Sequence, residues 1–379
     1  GRLARGRHDP APRADHDGVT DLKVPMARPV LGPEELEAIR AVLDSEQLSL
    51  GPRVPAFEAA FAERVGARYA SAVSSGTTGL HLALRAAGVT DGDEVITSPF
   101  SFVASANVIL YERATPVFVD IDPETLCITP GAVAAAVTER TAAVLPVSIF
   151  GKACAVPDVG LPIVEDACEA LGAVHSRGHS AVFAFYPNKQ MTTGEGGVVV
   201  TDDPAVKERI DSERNQGRAP NMDWLDHDRL GFNYRLTDIA CALGLVQLER
   251  LDGMLADRAR VAGHYHQALA DLPVETLDDD RSWFVYVVRL PRGVDRDDTI
   301  RALRDEGIPS KPYLPAIHLF SFYRAMGYAP GQFPVAEDVA ARSVALPFFP
   351  QMDEGQVALV AEALRRVLSR AGTPAPRPA

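Results

Sequence analysis

The stretch 183–200, FAFYPNKQMTTGEGGVVV, sets one lysine, Lys189, between an apolar, aromatic run and a cluster of small residues. A lysine amine is nucleophilic only when neutral, and its ordinary pKa of about 10.4 keeps it protonated in water. An apolar or cationic setting lowers that value, and imine formation with an aldehyde is the usual use of such an amine. The flanks VFAFY and GGVVV read as two buried strands joined by a glycine-rich connection. A surface hairpin with its charge in the turn has the same pattern, so Lys189 alone decides nothing.

Two other segments carry groups of complementary chemistry. SSGTTGL (74–80) lies between a strand and a helix start, where backbone N–H groups and the helix dipole favour an anion, and Gly76 lets a phosphate approach the backbone. The same small residues cap many helices that bind nothing. IVEDACEALGA (163–173) ends an apolar strand with Glu165 and Asp166. An acid at the carboxyl end of a parallel strand stands where such sheets bind ligands, although a helix cap would also use it. Burying that acid is costly unless a cation, such as a protonated ring nitrogen, faces it. A phosphate, a basic ring nitrogen and an aldehyde occur together in pyridoxal phosphate, and that cofactor accounts for all three segments at once.

The elements that must position these groups alternate along the chain. PEELEAIRAVLDS (33–45) and VPAFEAAFAERVG (54–66) predict helices. Then follow strand YASAV, a helix after SSGTTGL, strand DEVITSP, helix FVASANVILYE, strand TPVFVD, helix PGAVAAAVT, and strands AAVLPVS and LPIVEDA. Apolar strands alternating with helices predict a mostly parallel sheet covered on both faces. FGKACAVPDVG, between the last two strands, is short for a helical crossover and reads as a loop or a single turn. A long helical stretch spans 236–269. Strand SWFVYVVRL and helices DDTIRALRDEG and EGQVALVAEALRRVL then predict a smaller α+β domain. The expected division is a disordered leader over 1–23, a large α/β domain over 24–254, a small domain over 255–370 and a frayed tail over 371–379.

Composition excludes several roles. The 379 residues carry a formal net charge of −13, which argues against a nucleic-acid backbone or an anionic membrane as the main partner. No apolar stretch approaches the length of a membrane helix. The cysteines Cys127, Cys154, Cys168 and Cys241 form no CxxC pair and show no metal-like spacing with histidine. No metal is expected, and buried thiols in a reducing cytoplasm are.

Several segments together resemble the DegT/StrS-type sugar aminotransferases: SSGTTGLHLAL, GDEVITSPFSFVASAN, PVFVDIDPETLCI, IVEDACEALGA, FYPNKQMTTGEGG and LGFNYRLTDIACALGLVQLERLD. They occur in family order from about Val24 to Leu368, and the lysine-to-GEGG segment is the most specific. The resemblance implies an aspartate-aminotransferase-like fold, pyridoxal phosphate as cofactor and transamination as the reaction. By it, Lys189 would form the imine with the cofactor, Asp166 would keep the pyridine nitrogen protonated, and Gly76 and Thr77 would bind the phosphate. Phe102 occupies the place of the aromatic residue that stacks on the ring, although packing in a helix core would also suit it. Asn233 matches an asparagine reaching the phosphate of the neighbouring subunit, which implies a homodimer.

Tyr313 and His318 fall where the family approaches the sugar or closes the site, and packing in the small domain explains them equally. Arg235, with Arg218 and Arg229, is a candidate for a substrate diphosphate. The implied reactants are an amino-acid donor, glutamate, and a nucleotide-linked keto-deoxysugar. Amination of a cyclitol or another cyclic ketone is the rival, and a cofactor-binding regulator the non-enzymatic one; a dehydratase on this scaffold would lack the lysine. Departures from the family pattern are Ala184 for a serine, Glu169 for a glutamine beside the cofactor, and a shortened AVHSRGHSAV segment.

Overall fold

The computed structural model describes residues 22–155, 159–174, 180–219 and 226–371. The expected leader up to residue 21, the shortened loop at 175–179 and the tail beyond 371 lie outside the described residues.

In chain order the first unit contains α1 (Pro33–Asp44), α2 (Arg53–Val65), β1 (Tyr69–Val73), α3 (Gly76–Ala86), β2 (Glu94–Thr97), α4 (Ala104–Tyr111), β3 (Thr115–Phe118), α5 (Pro130–Ala136) and β4 (Thr141–Leu145). It continues with β5 (Val164–Asp166), β6 (Ser180–Ala184), β7 (Gly197–Thr201), α6 (Pro204–Arg214) and α7 (Asp238–Glu249). Two sheets, β3-β2-β4 and β5-β6-β7-β1, are joined by parallel bridges Val144–Ile163 and Val147–Asp166 into one surface. β7 runs antiparallel to β6 and β1, so β1, β5 and β6 all point the same way. Their carboxyl ends therefore open on one edge, the edge at which open α/β sheets bind ligands. Among its described residues the connection between β4 and β5 contains a 3-10 turn, Ile149–Gly151, and no α-helix, as its length predicted.

Strand side chains alternate between two cores, which is why these strands read as apolar throughout. Ala181, Phe183, Val198 and Val200 join one cluster with Phe57, Phe61 and Phe185, while Val182 and Val199 face the other with Leu80 and Leu84. Helix ends are fixed by local hydrogen bonds. Thr237 caps α7 by accepting from Ala240 N at 3.2 Å, and Asp203 caps α6 by accepting from Ala205 N at 2.8 Å. Asp238, wholly buried, accepts from Gly51 N at 2.7 Å and Arg53 N at 2.9 Å and so pins the α1–α2 turn onto α7.

The remaining chain comprises α8 (Leu251–Ala268), β8 (Glu275–Thr276), β9 (Tyr286–Arg289), α9 (Arg296–Asp305), β10 (Lys311–Pro312), α10 (Ser321–Ala325), α11 (Pro334–Arg342), β11 (Ser343–Leu346) and α12 (Glu354–Ala371). The long helical stretch expected over 236–269 consists of two helices, α7 and α8, meeting at Arg250, whose side chain reaches Glu35 at 2.6 Å. β10-β11-β9-β8 form a small antiparallel sheet. The N-terminal segment joins this second unit through Lys23 N to Gly307 O and Phe348 N to Met26 O, each 3.0 Å.

The aromatic cluster under the main sheet makes a direct stability prediction. Phe61 is fully buried, with ring centroids 5.2 Å from Phe183 and 5.4 Å from Phe185. Phe61→Ala should lower unfolding stability by roughly 3–5 kcal/mol in urea titration, whereas a loss within experimental error would mean that the cluster is not packed as described.

Candidate active site

At the carboxyl edge of β1, β5 and β6 lies a cleft of about 520 Å³ whose walls include Ser75, Gly76, Thr77, Asp166 and Lys189. The three segments singled out in the sequence therefore meet in one place.

The first wall is the start of α3. Ser75 caps the helix by accepting from Thr78 N at 3.2 Å, and the Thr78 hydroxyl accepts from Ser75 N at 3.0 Å. This leaves the first backbone N–H groups of α3 for a ligand at the positive end of the helix. Gly76 is required by close approach: a Cβ there would lie 2.7 Å from Cys168 Sγ and 2.8 Å from Ala184 Cβ. Ala184, at the position where a serine was expected, is thus part of the same tight cradle.

Asp166 ends β5 and is buried. Its Oδ2 accepts from Ser105 Oγ at 2.7 Å, and its Oδ1 from Cys168 N at 3.1 Å. Ser105 Oγ lies 2.7 Å from Ser101 Oγ, so a hydroxyl relay from the start of α4 orients the carboxylate. Its neighbour Glu165 is turned away and accepts from Ser148 Oγ at 2.5 Å.

Lys189 sits in the connection between β6 and β7 with its side chain only 14% exposed, which excludes the surface-hairpin reading. Its Nζ is 4.0 Å from the centre of the Phe284 ring and 3.6 Å from Glu169 Oε1. The other oxygen of Glu169 accepts from Phe150 N at 3.0 Å. Burial pushes the Glu169 carboxyl above its ordinary value, against the opposing pull of the Lys189 charge. Arg258 of α8 fixes the lysine's backbone, donating to Lys189 O at 2.7 Å, Asn188 O at 3.3 Å and Phe284 O at 3.1 Å. It is fully buried without an ion-pair partner among the described residues, and desolvation pulls its pKa down to about 10.

The other expected residues divide. Phe102 lines the cleft and is 61% exposed, so it is not helix-core packing. Tyr313 lines the cleft from the second unit, and burial drives its phenol well above the ordinary value. Asn233 is exposed, lies outside this chain's own cleft and bridges to Asn215. His318 does not line the cleft: its side chain is wholly buried, 3.0 Å from Glu337 Oε1 and edge-on to Phe333. Arg235 also lies elsewhere, donating to Asn215 Oδ1 at 2.9 Å beside a separate cavity that Arg214 and Arg218 share.

Sequence reasoning missed Ser105, Phe284 and Arg258. The only signal for Ser105 was its spacing, four residues after Ser101, which precedes α4. Nothing local marks Phe284 or Arg258, because both act across distant segments.

The sheet order, the cleft at its carboxyl edge and the buried lysine facing a helix N-terminus define a pyridoxal-phosphate-dependent aminotransferase of fold type I. The chain belongs to the DegT/DnrJ/EryC1/StrS aminotransferase family, whose model matches residues 29–365. Among solved structures it is similar to DesV of S. venezuelae, with 32% identity, a TM-score of 0.82, and coverage of 93% of this chain and 99% of that one. It is also similar to PseC of Helicobacter pylori, an aminotransferase involved in the biosynthesis of pseudoaminic acid. That pair has 28% identity and a TM-score of 0.84, covering 92% and 99% of the two chains. A third is 3-amino-5-hydroxybenzoic acid synthase, with 28% identity, a TM-score of 0.84 and the same coverage of 92% and 99%. No helix among the described residues is long and apolar enough to cross a membrane.

Arg258 offers a test of how the lysine segment is held. Arg258→Met leaves one buried and two partly buried carbonyls without this donor and should cost roughly 1–3 kcal/mol of stability. Arg258→Lys should recover only part of this, since an ammonium cannot fork to the same three acceptors. Unchanged urea midpoints in both variants would contradict the clamp.

Proposed function

We propose that the chain transfers an amino group from an amino acid, L-glutamate in the first instance, to the keto group of a nucleotide-linked deoxysugar. The observation that carries this reading is the convergence of Lys189, Asp166 and the α3 N-terminus on one cleft. The residues fit pyridoxal phosphate: a glycine-lined helix start for the phosphate, a buried acid for a ring nitrogen, and an amine for an aldehyde. When bound, that cofactor supplies an aldehyde for amine exchange and a cationic ring that accepts an electron pair.

In this reading Lys189 would hold the cofactor through its aldehyde, and its free Nζ would take the proton from the donor's α-carbon. Asp166, oriented by Ser105, holds a proton on the ring nitrogen. Gly76 and Thr77 would offer backbone N–H groups to the phosphate, and Phe102, on the exposed side of the cleft, would offer its ring face to the cofactor. Glu169 faces the cofactor from beside Lys189. Tyr313 narrows the substrate side, while the burial of His318 speaks against a substrate contact. Asn233 would reach a phosphate in a neighbouring subunit, which would make a homodimer the active unit. The four cysteines form no disulfide, in keeping with a cytoplasmic enzyme.

One observation favours a second reading, amination of a cyclitol or another cyclic ketone without a nucleotide. Among the described residues lining the cleft, Lys189 is the cation while Asp166, Glu169 and Glu195 are acids, an unfavourable wall for a diphosphate. Supplying purified enzyme and glutamate with a nucleotide keto-sugar in one arm and an inosose in the other separates the two readings by which ketone is aminated.

Replacing Lys189 with arginine should abolish the violet absorption of the cofactor-loaded protein and lower transamination by about 10²–10⁴-fold or more. A K189R protein that turns over at the wild-type rate would sink the assignment.

A further inference from the structure

Glu169 is an acid without an evident structural need for its charge. One oxygen accepts from Phe150 N at 3.0 Å, a bond that an amide oxygen would make equally well. The other lies 3.6 Å from Lys189 Nζ, its ion-pair partner among the described residues. Glu169 is 6% exposed, so the carboxylate cannot be screened by water, and Coulomb interaction at this separation is strong in such a medium. Its position is held independently of that charge. Gln190 Nε2 donates to Glu169 O at 2.6 Å and to Ser282 O at 2.9 Å, so the backbone under the carboxylate is tied to the second unit.

We propose that Glu169 is the counter-ion that keeps the Lys189 nitrogen protonated, acting as a positioning residue that sets the pH range in which that nitrogen carries its charge. This rests on the reading that Lys189 is the amine that bonds to the cofactor. No covalent step is added: the carboxylate stabilises the cationic form of a nitrogen that gains and loses a proton from solvent. The groups around Glu169 leave it this role. Asp166 faces it from its own turn, but both Asp166 oxygens are engaged, by the Ser105 hydroxyl and the Cys168 N–H. Burial holds the Cys168 thiol and the Tyr313 phenol well above their ordinary values, so both stay neutral across the working range. Phe284 brings only its ring face to the nitrogen, which favours a cation but cannot titrate.

The pair is mutually dependent. Burial raises the Glu169 carboxyl above its ordinary value, with the nearby Asp166 charge adding to this, while Lys189 and the Phe150 N–H oppose it. For a carboxyl with a raised value, the ionised form is lost sooner as pH falls. The counter-ion therefore disappears on mild acidification, in a window above that of an ordinary glutamate.

The test is a pH titration of the violet absorption in cofactor-loaded wild type, Glu169→Gln and Glu169→Asp. In parallel, the cofactor-free full-length proteins are labelled with acetic anhydride at a series of pH values, and modification of Lys189 is read by mass spectrometry. An opposite charge at this range displaces a titration by about 1–3 pH units. In E169Q the loss of the violet band should therefore move toward acid by that amount, and acetylation of Lys189 should begin at correspondingly lower pH. E169D, which keeps the charge on a shorter arm, should lie between the two. Midpoints unchanged in E169Q, or E169D displaced as far as E169Q, would overturn the proposal and leave Glu169 as an anchor for the Phe150 N–H. If E169Q does not retain cofactor, the acetylation series on the cofactor-free protein still decides. A violet band that persists in K189R would instead refute the cofactor-lysine reading, and the acetylation result would stand apart from it.

Discussion

An ammonium group held near the floor of a mostly apolar cleft is the constraint around which this structure is arranged. Left alone there, the Lys189 charge would forfeit its hydration with little in return. The chain answers with an aromatic face at 4.0 Å and a carboxylate at 3.6 Å, and with a fully buried arginine that fixes the lysine's own carbonyl. Each of these partners is itself anchored: Glu169 by Phe150 N, Phe284 by its carbonyl on Arg258, and Arg258 by three acceptors that replace its lost water.

The same requirement explains why distant segments of the chain meet at the site. The sheet supplies the parallel strand ends that carry Asp166 and precede Lys189 and α3, but that edge is open on one side. Phe284 and Tyr313 come from segments beyond α8, and Arg258 comes from α8 itself. Gln190 ties both sides together through Glu169 O and Ser282 O. A cleft assembled in this way leaves the lysine side chain only 14% exposed while the Phe102 side stays open for entry.

How much of this could be read from the chain depended on whether the signal was local. The alternation of apolar strands and helices survives as the sheet because both of its faces are buried, and that pattern is visible residue by residue. Lys189, Asp166 and the SSGTTGL turn were legible because each is an anomaly in its segment: a charge among apolar residues, an acid on a strand end, small residues before a helix. Phe284, Arg258 and Ser105 were not, since a phenylalanine, an arginine on a helix and a serine in a small-residue run are ordinary until the fold brings distant elements into contact. For His318 and Arg235 the sequence did not reveal the partners that the fold provides. Their residue types suit a site, yet the fold spends one on Glu337 and the other on Asn215. The break between α7 and α8 was equally hidden, because every residue around Arg250 is compatible with a continuous helix.

The central claim is that the Nζ of Lys189 is the atom that bonds to the cofactor's aldehyde carbon. Borohydride reduction of the freshly loaded, full-length protein makes that bond permanent, and digestion followed by mass spectrometry locates it. The account predicts the reduced cofactor on the single peptide containing Lys189. Its recovery on another lysine, or on none while the protein remains active, would contradict it.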